Sequence, residues 1–160
     1  MKKNKLQILY IYCLLLSPLI CGASDLNLNS TSQDISKHTL KRDYPDAPKR
    51  TFIQNYKDMV FASCLTKAYS DNKDIVKDIG SSEGALQQWV SYDINESVDE
   101  EFKIVNSYLS RNYFNPIVEA QVKGVKFDFL KCLDLYHSKE LDKLARKVIS
   151  YPQRKASQGY

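Results

Sequence analysis

The chain is poor in the residues most often recruited for chemistry. Among 160 residues there are two histidines, four cysteines and five glycines. A zinc site needs a near-complete set of nitrogen or sulfur ligands. His137 and Glu140 have ligand-like spacing, but no second histidine or cysteine pair completes a set. His38 stands alone in a polar stretch. The glycines form no phosphate cradle, because Gly80-Ser81-Ser82-Glu83-Gly84 lacks the lysine such a loop requires. β-Branched residues in strict alternation are nearly missing, which argues against a sheet protein. The nearest case, Ile117 to Val122, is at most a short extended strip. No segment repeats, and no apolar run reaches the roughly 20 residues of a membrane-spanning helix. No cofactor is implied.

What is present begins with a leader, "MKKNKLQILYIYCLLLSPLICGAS". Lys2, Lys3 and Lys5 form a positive start, Leu6 to Leu16 an apolar stretch, and Pro18 breaks it. Cys21 and Ala23 place small residues at −3 and −1 of a cut after Ala23. Residues 1–23 therefore read as a cleavable secretory signal peptide. A lipoprotein signal would need a small residue before its cysteine, and Ile20 precedes Cys21. Cleavage leaves 137 residues with 20 Lys+Arg against 19 Asp+Glu. The basic balance thus belongs to the leader and gives no argument for nucleic acid. Two of the four cysteines leave with it. A chain of this size buries one core.

Residues 24–50 are polar and without period, and read as a flexible segment. From Thr51 a helical face appears: Phe52, Tyr56, Met59, Val60, Cys64 and Ala68. Asp71 offers the next cap, followed by Ile75, Val76 and Ile79. Gly80-Ser81-Ser82 is a place for a kink before Leu86, Trp89 and Val90. "DINE" at Asp93 to Glu96 has the spacing of a capping box, with Phe102, Val105, Leu109 and Tyr113 behind it. Asn115-Pro116 stops that helix. Residues 114–124 show no helical period. Val125, Phe129, Cys132, Leu133 and Tyr136 then make one face, and Phe127, Leu130 and Leu135 a second. A helix apolar on most sides belongs at the centre of a bundle. Ser138 caps a last helix bearing Leu141, Leu144, Val148 and Ile149, and residues 152–160 are a polar tail. The expectation is an all-α protein: a single compact bundle of five to six helices over 51–151, with one disulfide and a projecting loop before the central helix.

Cys64 and Cys132 fall on core faces of different helices. Two thiols on one core in an exported protein usually pair, and a bond closing this 68-residue separation is worth roughly 4 kcal/mol in the chain-entropy account. The competing reading is two buried free thiols packing as small hydrophobes. An enzyme using Cys132 with His137 faces a geometric obstacle, and one using Cys64 would need the fold to bring the two together and would be disabled by a disulfide. Cys132 and His137 are five residues apart, about 140° around one helix. Asp99-Glu100-Glu101 sits in a first helical turn, where acidic residues are usually solvated and favoured by the dipole. Tyr113 and Phe114 border the aperiodic stretch and are the aromatics best placed for a surface role.

The segments "SCLTKAY" and "VKGVKFDFLKCLDLYHSKEL", with the spacing of Cys64 and Cys132, resemble the type VI secretion amidase immunity proteins, those that neutralise the fourth group of amidase effectors. The likeness runs from about Tyr56 to Tyr151. It implies a non-catalytic, all-helical periplasmic homodimer whose partner is a cognate peptidoglycan amidase, with no membrane association after leader removal. The amidase would be a papain-like Cys-His enzyme cutting the γ-D-glutamyl to diaminopimelate bond. The resemblance further implies that a projecting loop plugs the amidase groove, and here that loop matches the aperiodic stretch between Tyr113 and Val125. Pro116 would stiffen it. Gly124 would let the backbone enter a narrow groove. Val122 and Val125 would give apolar contact, and Glu119, Gln121, Lys123 and Lys126 a polar rim. Another exported helical inhibitor, such as a lysozyme-type inhibitor or an envelope interaction module, stays open as the alternative.

Overall fold

The computed structural model describes residues 42–159. The leader 1–23 and most of the polar segment 24–50 lie outside the described residues. Among the described residues six α-helices run in order: α1 Phe52–Ala68, α2 Lys73–Gln87, α3 Ile94–Leu109, α4 Pro116–Gln121, α5 Asp128–Tyr136 and α6 Lys139–Val148. Two short 3-10 turns flank them, Ala47–Lys49 before α1 and Ala156–Gln158 after α6.

α1 opens on a complete capping box. Thr51 Oγ1 accepts from Gln54 N, and Gln54 Oε1 accepts from Thr51 N at 3.0 Å. Two more first-turn N–H groups are satisfied by the C-terminal tail: Phe52 N donates to Arg154 O at 2.7 Å and Ile53 N to Pro152 O at 3.1 Å. Thr51 and Lys155 pair as a single antiparallel bridge. The polar tail therefore packs onto the start of the first helix. α1 touches α2, α3, α5 and α6, so it, rather than α5, lies at the centre of the bundle. Its apolar residues spread round the helix because neighbours cover it on several sides. Phe52, Tyr56, Met59, Val60 and Cys64 are all buried.

The remaining helices close on this one. Leu135 of α5 and Leu141, Leu144, Ala145 and Val148 of α6 enter the same core. Burying each large aliphatic side chain contributes about 1.5–3 kcal/mol. Ser138 caps α6 through Leu141 N at 3.1 Å, with Glu140 and Asp142 in its first turn and Arg146 and Lys147 in its last, all favourable to the dipole. Cys64 and Cys132 are joined, with Cα atoms 5.7 Å apart, and both are fully buried. The bond staples α1 to α5. Buried polar ties add to the packing. Tyr56 Oη and Ser97 Oγ lie 2.7 Å apart, and burial pushes the Tyr56 hydroxyl up to about 12. Asn55 Nδ2 donates to Ala47 O and Trp89 O, each at 2.9 Å.

Several local expectations change. Asn72, not Asp71, caps α2, accepting from Ile75 N. α2 runs unbroken through Gly80-Ser81-Ser82, where the serine hydroxyls donate back to Lys77 O and Asp78 O. Phe102 is 61% exposed rather than a core residue. α3 ends at Leu109, short of Tyr113, so Asn115-Pro116 does not stop it but opens a further helix, α4, within the aperiodic stretch. None of its residues is buried, so the core-facing period that marks other helices is absent.

Candidate functional site

The chain leaves the bundle at Leu109 and returns at Asp128. No residue of 110–127 is buried. Within this excursion α4 is held by its own first turn. Asn115 Oδ1 accepts from Ile117 N at 3.2 Å and Val118 N at 3.1 Å. Glu119 Oε1 accepts from Asn115 N at 3.0 Å, and Pro116 occupies the first turn, where its missing N–H costs nothing. So short a helix has little intrinsic stability, and these reciprocal bonds supply it locally.

The residues singled out from the sequence are adjacent but differently employed. Pro116, Gln121, Val122, Lys123, Gly124 and Lys126 are exposed, and Glu119 and Val125 are half-buried. Glu119 is engaged in the α4 cap. Gly124 has φ +74°, and a Cβ built there would meet nothing within 4 Å. The turn itself, through its left-handed backbone, is what asks for glycine. Phe127 also adopts a left-handed conformation, φ 54°, at the entry to α5.

Sequence reasoning marked Phe114 for a surface role but missed the apolar residues exposed around it, Ile117, Val118, Phe129 and Leu130. Phe114 and Ile117 are each 74% exposed, and Val118, Phe129 and Leu130 are exposed beside them. Phe129, which periodicity assigned to the core, only leans edge-on against Phe61 at 6.1 Å. A groove of about 660 Å³ runs between the α1–α2 turn and the excursion, with Tyr69, Asn72, Val118, Val125 and Phe129 among its walls. Exposed large apolar side chains gathered beside a groove are characteristic of a protein contact.

Two ties fix the base of the excursion. Lys131 Nζ donates to Leu109 O at 3.1 Å and to Asp128 Oδ1 at 2.9 Å. Tyr113 Oη donates to Asp134 Oδ2 at 2.5 Å. Burial, and then this bond to Asp134, raise the Tyr113 hydroxyl above its ordinary value, so it remains a neutral donor.

Comparison with known proteins decides the family. Residues 54–145 match the profile of the Tai4 family, described as type VI secretion system amidase immunity protein. The chain belongs to that family. A solved structure from work on new type VI-secreted toxins and self-resistance proteins in Serratia marcescens is similar over 76% of this chain and 96% of that one, with 26% identity and a TM-score of 0.65. A chain of the Tae4/Tai4 effector–immunity system from Salmonella typhimurium shares the fold, with 18% identity, a TM-score of 0.56 and coverage of 66% and 96%. No curated protein sequence matches.

For a Tai4-family protein the remaining chemistry is spare. Cys64 and Cys132 are bonded, so neither is a thiolate in this state. His137 ends α5 and lies edge-on to Tyr136 at 5.1 Å. No helix among the described residues is long and apolar enough to cross a membrane.

Proposed function

We propose that the chain is a periplasmic immunity protein that binds its cognate type VI secreted peptidoglycan amidase and blocks it with the α4–Gly124 protrusion. The supporting observation is the exposed apolar surface on a pre-formed helix. Phe114, Ile117 and Val122 leave more than half of their surface in water and would gain from a partner that covers it. The amidase would be papain-like, cutting the γ-D-glutamyl to diaminopimelate bond, and the protrusion would enter its groove. Lys123 and Lys126 would contribute to the polar rim. The leader would deliver the protein to the compartment where the amidase acts, and the working form would be a homodimer.

The test is co-expression of the mature chain with the amidase encoded beside it. The expected result is a stable complex on size exclusion and loss of peptidoglycan cleavage. An amidase that neither co-elutes nor slows would refute the proposal, and periplasmic capture of other partners alone would favour a different exported inhibitor.

A further inference from the structure

We infer that Lys131 and Tyr113 are positioning residues that set the pose of the α4 protrusion. The inference rests on the reading of that protrusion as the amidase-binding element.

Asp128, Lys131 and Asp134 recur every three residues on α5 and so share one face of that helix. This stripe meets the start of the excursion at two heights. Lys131 reaches the last residue of α3 through Leu109 O, while its own helix supplies Asp128 as counter-ion. Asp134, one turn further along, holds Tyr113. The Lys131 side chain is only 7% exposed. A cation so far out of water needs every partner it has, and losing one is costly. The leaving point and the return point of the excursion are therefore locked to each other.

The consequence is a shorter free loop. Nothing in 110–127 is buried, so the excursion has no core of its own. With Leu109 and Tyr113 tied to α5, the freely moving part shrinks to the residues around α4. The ordering that a partner would otherwise impose is done during folding, which strengthens binding without adding a contact. An apolar residue at 131 would fill the same space but leave Leu109 O without its donor and Asp128 without its cation.

Hydrogen exchange on the mature chain, together with amidase inhibition, tests this. Tyr113→Phe removes one partly exposed hydroxyl and should fold normally. Peptides covering 116–122 should exchange about tenfold faster, those in α1 and α6 should not change, and the inhibition constant should rise about tenfold, as expected when the binding-competent population falls by that factor. Asp134→Asn added to Tyr113→Phe should cost no more than either alone, because both remove one tie. Lys131→Met should act in the same direction, and Lys131→Arg, which keeps charge and donor, should restore most of the protection. Unchanged exchange at 116–122 in Tyr113→Phe and Lys131→Met would overturn the inference. So would faster exchange with undiminished inhibition. If the wild-type chain fails to inhibit, the proposed function falls, and the exchange arm still decides whether the ties hold.

Discussion

α1 and α4 begin in the same way and end up with opposite tasks. Each starts at a residue whose side chain accepts from the first turn, and each has a partner side chain returning the bond: Thr51 with Gln54, and Asn115 with Glu119. α1 then buries residues along most of its length, whereas α4 buries none. Caps decide where a helix can start. Burial decides what it does for the molecule. In α1 apolar side chains hold the bundle together, and in α4 they are left available.

The contrast can be broken most directly by replacing residues 117–124 with a Gly-Ser linker. Inhibition should vanish while the melting temperature moves by no more than about 4 °C, equivalent to roughly 1 kcal/mol in a domain of this size. A linker variant that inhibits at full strength would remove α4 from the site. Cys64→Ser is the mirror experiment. It should cost roughly 4 kcal/mol in urea unfolding, with inhibition retained below the new melting point. A melting curve indifferent to reductant would count against the staple.

The caps themselves sharpen the comparison. Thr51→Ala should lower global stability by about 1 kcal/mol and leave inhibition alone, while Asn115→Ala should weaken inhibition with little change in melting. Equal effects of the two on melting would mean that α4 is part of the core. The smallest expected effect concerns pH. Glu83 and Glu101 flank a groove beside Ser63. Burial, and then the Glu101 charge, raise Glu83, and burial raises Glu101, with Ser63 opposing in both. Over the interval between the ordinary glutamate range and these raised values, the folded state holds protons that the unfolded state has released. Stability should fall as pH rises through that interval and recover on acidification toward the ordinary glutamate range. Thermal melts at pH 7.5 and 5.5 should show it, and Glu101→Gln should flatten the difference.

Much of the bundle was legible in the sequence because its signals are local. Thr51, Asp93 and Ser138 all cap helices as their spacing suggests, and the two cysteines on core faces meet. What periodicity cannot report is whether anything covers an apolar face. Phe102 and Phe129 belong to regular stripes and are nonetheless exposed. α4 was missed for the complementary reason: its helical order comes from caps and a proline, with no buried face to create a period. Asn55 and Lys131 bind backbone carbonyls far away in sequence, and such bonds leave no mark near either residue.

The seam between Thr51 and Lys155 has a practical side. Proteolytic trimming after Tyr151 would not shave off a loose end but would strip two acceptors from the opening turn of the helix on which the others rest. The same closeness makes this seam a natural place to join the domain's ends and reopen the chain elsewhere, giving a circular permutant whose first helix begins under covalent restraint.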